Sequence, residues 1–256
     1  MTAQTAATFG IEIEFKSLMD ASLIAERIAT DANVDCRYER YNHENRTWWK
    51  ITTDASVRGG WELVSPILPY TQESFDDIAR ICAALQGLGA NVDRQCGLHV
   101  HHGAAGMTDA QIAKVVAIYA KFETTIDGMM PPSRRNTAHN LLKSLKVRDS
   151  WKETVKAINA CKTREDLLTV IPDRYFKINP WSLLRHGTIE FRHHSGTVEA
   201  RKILNWVHMT KAMVERGATT KHVSIRNDRP DPNLFRGIIG KELAGYFRDR
   251  TRQLAA

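Results

Sequence analysis

Apolar and polar positions alternate along Thr8 to Phe15. Phe9, Ile11, Ile13 and Phe15 fall on one side, with Gly10, Glu12 and Glu14 between them. Period two predicts a strand with one buried face, and here the other face carries two carboxylates two residues apart. The spacing changes to helical near Asp20 to Thr30, where Leu23, Ile24 and Ile28 share a side. Tyr38 to Thr53 is aromatic-rich and reads as strand, loop, strand, the second being Trp48 to Thr52. Gly59-Gly60 predicts a turn before a strand from Trp61 to Ser65. Thr71 is placed to cap a helix bearing Phe75, Ile78, Ile81, Cys82, Leu85 and Leu88, which Gly89 stops.

The second half continues the mixture. A strand is predicted over Gly97 to Gly103. Thr108-Asp109-Ala110-Gln111 is a capping box, and it opens a long helix with Ile112, Val115, Val116, Tyr119, Phe122 and Ile126. Pro131 to Asn136 breaks that helix. Shorter helices are expected near Asp149 to Asn159 and Arg164 to Val170, then a strand over Thr188 to His194. Thr197 can cap a helix carrying Ile203, Leu204, Val207 and Met213, and Asp231-Pro232 opens one last helix through Leu234, Phe235, Ile238, Ile239, Leu243 and Phe247. Strands and helices interleaved in this way predict an α+β fold. With no internal repeat, low-complexity stretch or obvious linker, residues 1–256 read as a single domain.

Composition narrows the class. A chain of 256 residues that is 43% hydrophobic and 25% charged can bury a sizeable core and is ordinary for a globular protein. It contains no run of about 18 apolar residues, so no membrane span is expected. Met1 to Thr8 lacks the basic and apolar regions of a signal peptide, and cytoplasmic residence is the default expectation. Cys36, Cys82, Cys96 and Cys161 are widely spaced, which predicts packed reduced thiols rather than a disulfide framework or a thiolate metal site. The net charge of +7 favours anionic partners. Much of it falls late, at Arg226, Arg229, Arg236, Lys241, Arg248, Arg250 and Arg252, where a solvated basic helical extension over 216–256 explains it.

Comparing strand faces brings out candidate chemistry. In Leu98-His99-Val100-His101 the two histidines share a face. In Thr188-Ile189-Glu190-Phe191-Arg192, Glu190 and Arg192 do, and Glu62 lies opposite Trp61 and Leu63. The polar positions of half-buried strands are mostly Thr, Ser and Lys; here they are Glu, His and Arg. Carboxylates outnumber imidazoles and no thiolate joins them, so a hard divalent cation, Mg2+ or Mn2+, fits the donor set better than zinc. Such ions commonly sit with substrate phosphates, and a guanidinium such as Arg192 can clamp a phosphoryl group. Neither a Walker A loop nor a Gly-x-Gly-x-x-Gly fingerprint occurs, so a nucleotide would be held by a metal-bearing sheet.

Four motifs together resemble the amidoligase family, which belongs with glutamine synthetase and glutamate–cysteine ligase among the carboxylate–amine ligases. They are Phe-Gly-Ile-Glu-Ile-Glu-Phe at 9–15, Gly-Gly-Trp-Glu-Leu-Val-Ser-Pro-Ile-Leu at 59–68, Cys-Gly-Leu-His-Val-His-His-Gly at 96–103 and Gly-Thr-Ile-Glu-Phe-Arg-His-His-Ser-Gly-Thr at 187–197. The resemblance covers about residues 8–215. It implies a glutamine synthetase-like curved, mostly antiparallel β-sheet flanked by α-helices, with ATP and metals on the concave face. Glu12, Glu14, Glu62, His99 and Glu190 match metal ligands, Glu12 and Glu14 serving different ions. His101 matches a residue near the ATP phosphates, and Arg192 the arginine that contacts phosphate; Arg192 and Glu190 would be the catalytic pair. Asp54 and Ser56 resemble an Asp-x-Ser implied in substrate binding, Arg134 and Arg135 an arginine-rich stretch that meets substrate or nucleotide, and Lys177 and Asn179 a Lys/Asn pattern near the cofactor.

The chain departs from glutamine synthetase in one respect that bears on metals. The next acidic residue after Glu62 is Glu73, already in a predicted helix, so the number of ions is left open. The implied activity is ATP- and metal-dependent amide formation between a carboxylate and an amine through an acyl phosphate. A phosphotransferase acting on a guanidino or similar acceptor would use the same groups. A basic nucleic-acid-binding protein with a structural metal is the reading from another class; the charge allows it, and no recognition motif supports it.

Overall fold

The alternating N-terminal segment forms a strand at the middle of a sheet. The computed structural model describes residues 8–42, 44–53, 57–135, 142–225 and 232–255. In chain order these form β1 (Thr8–Lys16), α1 (Ala21–Ala32), β2 (Cys36–Tyr38), β3 (Trp49–Thr52), β4 (Gly60–Val64), β5 (Leu68–Pro69), α2 (Gln72–Gly87), β6 (Gly97–Gly103), α3 (Asp109–Asp127), α4 (Trp151–Ala160), α5 (Arg164–Val170), β7 (Ile178–Asn179), α6 (Ser182–His186), β8 (Thr188–Ser195), α7 (Ala200–Thr219), α8 (Pro232–Ile239) and α9 (Lys241–Gln253). The class is mixed α+β. Pairing is mostly antiparallel (β1 with β4 and β5, β3 with β4, β7 with β8), while β2 and β3 run parallel. By their internal contacts the described residues fall into two units, one within Ala7–His101 and His194–Val207, the other within His102–His193 and His208–Ala256.

In the first unit the strand order is β2-β3-β4-β1-β6, with β5 also on β1. The register pairs Glu14 with Glu62 and Glu12 with Val64 between β1 and β4, and Thr52 with Glu62 and Lys50 with Val64 between β3 and β4. Directly opposed residues point to the same side of a sheet. One face therefore carries Phe9, Ile11, Ile13, Phe15, Ile51, Leu63, Leu98 and Val100, all buried. Helix α1 packs on α2, β2 and β3. The other face carries Glu12, Glu14, Lys50, Thr52, Glu62, His99 and His101. The local signals act as expected: Asp20 accepts from Ser22 N at 2.9 Å before α1, and Thr71 from Ser74 N at 3.3 Å before α2. Gly59 turns with φ +67° ahead of β4. The four cysteines are free and buried. Burial pushes the Cys82 thiol up to about 12.

The second unit is built around α3. Its capping box forms in both directions, Gln111 N to Thr108 Oγ1 at 3.3 Å and Thr108 N to Gln111 Oε1 at 2.8 Å. Helix α3 is buried on nearly every side and packs against α4 and α5. The expected last helix is two helices, α8 and α9. Gly240 between them takes φ +85° and ψ 167°, a positive-φ extended conformation open to glycine, which ends α8 and redirects the chain. Strands β5 and β7 have two residues each, too few for a period to register in the sequence. Among the described residues no helix is long and apolar enough to cross a membrane.

At Gly217 in α7 the helix backbone comes close to α3. A Cβ there would lie 2.4 Å from Val115 Cγ2 and 2.8 Å from its backbone nitrogen, whereas a Cβ on exposed Gly237 in α8 meets nothing within 4 Å. Gly217→Ala is expected to lower the unfolding free energy by about 1–3 kcal/mol through overpacking. Gly237→Ala should be neutral or stabilising by up to about 1 kcal/mol through helix propensity. Urea unfolding of both variants checks the contrast.

Candidate functional site

Four strands of the first unit, β1, β3, β4 and β6, bring ionisable side chains to one face. His99 on β6 sits between the two carboxylates of β1: its Nδ1 donates to Glu12 Oε2 at 2.8 Å and its Nε2 lies 3.7 Å from Glu14 Oε1. His101 Nε2 lies 3.3 Å from Glu12 Oε1. Glu14 Oε2 also accepts the Gly97 backbone N–H at 2.5 Å, so β6 answers both acids of β1. Burial alone would raise the Glu12 carboxyl. The charge and hydrogen bond of His101, followed by those of His99, outweigh it and hold Glu12 well below the usual carboxylate range. Glu14, Glu62 and His99 are buried, and Glu12 is partly exposed.

Glu12, Glu62 and His99 each offer a ligand atom, and the three atoms lie within 4.8 Å of one another. Two carboxylates and one imidazole make a donor set rich in hard oxygen, which fits a magnesium- or manganese-like cation. Glu14, engaged with Gly97 and His99, is not one of the three. Glu73, the next acidic residue after Glu62, lies in the first turn of α2.

Lys50, absent from the sequence reading, lies on this same face of β3 and is buried. Its Nζ donates to the Asn42 backbone oxygen at 3.1 Å and to Asn42 Oδ1 at 3.0 Å. Burial lowers its pKa against the opposing pull of Glu39, Glu62 and Glu12. A lysine flanked by Trp49 and Ile51 was the only trace of it in the sequence. A cavity of about 700 Å³ opens in the same unit, lined by Leu18, Asp20, Thr53, Arg58 and Trp61 among others. Asp54 and Ser56 lie outside the described residues.

Glu190 and Arg192 belong to the second unit, on β8. Arg192 Nη1 pairs with Glu190 Oε1. Asn179 on β7 is the cross-strand partner of Glu190 and donates from Nδ2 to Glu190 Oε2 at 2.5 Å, while its own Oδ1 accepts from Trp181 N at 2.9 Å. Asn179 therefore orients the Glu190 carboxylate. Lys177 Nζ is fully buried and bonded to Glu123 Oε1 at 2.9 Å and Asp127 Oδ1 at 2.5 Å, which gives it the place of an internal counter-ion. Arg134 is buried, with its backbone oxygen taking His193 Nε2 at 2.9 Å, and Arg135 Nε donates to Met130 O at 2.8 Å.

Tyr119, Glu123 and Asp127 are spaced four apart along one side of α3 and line the network around Lys177. His193 Nε2 faces two acceptors, the Arg134 oxygen and Asp127 Oδ1 at 3.0 Å, so Nε2 carries the proton. Nδ1 then accepts from the Tyr119 hydroxyl at 2.7 Å. Glu123 Oε2 takes the Leu145 backbone N–H at 2.8 Å. Glu123 and Asp127, four residues apart and in step with Tyr119 along a helix rich in buried apolar residues, were the sequence signal for this network.

The family model described as "Putative amidoligase enzyme" matches residues 5–214. No curated protein matches the chain. Among solved structures, a bifunctional glutathione synthetase from Pasteurella multocida is 12% identical, with a TM-score of 0.46, an alignment covering 97% of this chain and 47% of that one. The chain thus spans about half the length of that protein.

Burial holds His193 below its ordinary pKa, against the raising effect of Asp127. As pH falls below about 6.5 the unfolded chain takes up a proton that the folded chain refuses, so this contribution to stability is present above that pH and is lost below it. Burial would raise Asp127, but His193 and Lys177 hold it down, so its contribution is lost only at more acid pH. The melting temperature of the wild type is expected to fall from pH 7 toward pH 5, and the fall should be shallower in His193→Gln. Calorimetry across that range measures the difference.

Proposed function

We propose, from the premise that this chain belongs to the amidoligase family, that it is an ATP-dependent carboxylate–amine ligase whose metal site is built on the acidic face of β1, β4 and β6. The observation that carries the reading is the convergence of Glu12, Glu62 and His99 donor atoms within 4.8 Å. A bound divalent cation would neutralise charge on the triphosphate and hold it for transfer.

The chain's own residues supply the rest. Glu12, Glu62 and His99 would hold the cation, with Glu14 beside His99. His101, 3.3 Å from Glu12, helps to keep that carboxylate ionised and would meet the ATP phosphates. Arg192, paired with Glu190, would stabilise charge on a phosphoryl group in transfer, and Asn179 holds the Glu190 carboxylate, the position that the family pattern gives to a metal carboxylate. A substrate carboxylate oxygen attacks the γ-phosphorus, and the bond to the ADP oxygen breaks to leave an acyl phosphate. The amine nitrogen then attacks the acyl carbon and phosphate departs, leaving the amide. Catalysis in such transfers is mostly positioning and charge neutralisation. Arg134 and Arg135, with Asp54 and Ser56, are assigned to the substrates.

Glu12→Ala and Arg192→Ala are each expected to keep the fold and to lower substrate-dependent phosphate release by about 100-fold or more. The assay screens carboxylate–amine pairs, with mass measurement of the product. Release that requires both substrates identifies a ligase, and ADP formation without free phosphate identifies a phosphotransferase. Turnover left intact in Arg192→Ala would remove the phosphate role from that residue. Mg2+ or Mn2+ with ATP should also raise the melting temperature of the wild type, and not that of a Glu12→Ala/Glu62→Ala double variant.

A further inference from the structure

The acidic face contains one polar group that the interactions above leave unexplained. Thr52 ends β3 and is 1% exposed. Among the described residues its Oγ1 has no hydrogen-bond partner. The register sets Thr52 directly opposite Glu62, and Glu62 directly opposite Glu14, so the hydroxyl stands in one row with two buried carboxylates. Opposed Cβ atoms lie about 4.5–5.5 Å apart, close enough for a hydroxyl and a carboxylate to share a water but not requiring direct contact.

A buried hydroxyl left without a partner costs on the order of 1–3 kcal/mol. Valine has nearly the same shape without that cost, so a threonine here calls for a ligand that the described side chains do not supply. Magnesium-like cations keep several waters when protein carboxylates bind them. A water polarised by such an ion is a strong hydrogen-bond donor, and a hydroxyl beside the ligand carboxylate is placed to accept from it.

We propose that Thr52 is a positioning residue of the metal site, its Oγ1 accepting a hydrogen bond from a water in the coordination shell of the ion held by Glu12, Glu62 and His99. The inference rests on the metal-site reading above and adds β3 to the strands that build it. Thr52 touches neither phosphate nor reacting carbon; it fixes the water, and through the water the ion. Groups that orient ligands from the outer shell typically contribute about 10–100-fold to metal affinity.

Free Mn2+ is titrated against the full chain by electron paramagnetic resonance, with no nucleotide and no turnover, for wild type, Thr52→Val, Thr52→Ser and Glu62→Gln. Melting in EDTA is measured for each. Expected are wild-type affinity in Thr52→Ser, affinity about 10–100-fold weaker in Thr52→Val, near-complete loss in Glu62→Gln, and a Thr52→Val melting temperature in EDTA at or above that of the wild type. Wild-type affinity in Thr52→Val, with Glu62→Gln still defective, would overturn the role of Thr52 and leave the metal site standing. Absence of Mn2+ binding in the wild type would overturn both. Should Thr52→Val fail to fold, Thr52→Ala carries the same comparison.

Discussion

Like charge crowded onto one side of a sheet is the constraint around which the first unit is arranged. Glu14 and Glu62 are directly opposed, and Glu12 is two residues from Glu14 on the same face. Two unit charges about 4 Å apart at an effective dielectric near 20 repel by roughly 4 kcal/mol. That is a large part of the 5–15 kcal/mol by which whole domains are stable. The fold answers with β6, whose His99 lies between the two acids of β1 and whose Gly97 N–H caps Glu14. These contacts are dipolar or depend on imidazole charge. They relieve part of the repulsion, and buried Lys50 on the same face adds a fixed cation that attracts Glu62 and Glu12.

The second unit handles buried acids in the opposite way. Glu123 and Asp127 share the ammonium of Lys177, and the spare atoms of the group go to a backbone N–H, to His193 and, through it, to Tyr119. These partners all lie within the second unit. The contrast separates two groups of acids that look alike in composition. One group meets an ammonium and an imidazole; the other sets three carboxylates beside two imidazoles and Lys50. That distinction comes from partners and distances rather than residue type.

Much of this was legible before any coordinates. Strands with one buried face and caps next to apolar runs leave strong periodic signals, and β1, β6, β8, α2 and α3 lie where the pattern puts them. The acidic face was legible because Glu12, Glu14, Glu62, His99 and His101 occupy positions where ordinary strands carry Thr or Lys. Less was readable where the determinant is a pairing between distant segments. Thr52 is an unremarkable strand residue until its register opposite Glu62 is known. Lys50 looks like a solvated lysine until its place opposite Val64 and its bonds to Asn42 are known. The break at Gly240 was hidden because the apolar positions on either side keep helical spacing across it. Lys177 looked available to a ligand because its two acids lie about fifty residues away in sequence.

The network around α3 also acts on strand alignment. Lys177 precedes β7 and His193 lies in β8, and both end on the same helix side at Asp127. A strand that slips by one residue turns every side chain to the opposite face. For the β7–β8 pair such a slip would bring Phe191 out and Glu190 in, and it would strand an ammonium and two carboxylates in an apolar interior without partners. Misaligned forms are therefore penalised by unpaired charge as well as by lost packing. The network works as a key that admits one pairing of the hairpin, the one in which Asn179 meets Glu190 and Arg192 lies beside it.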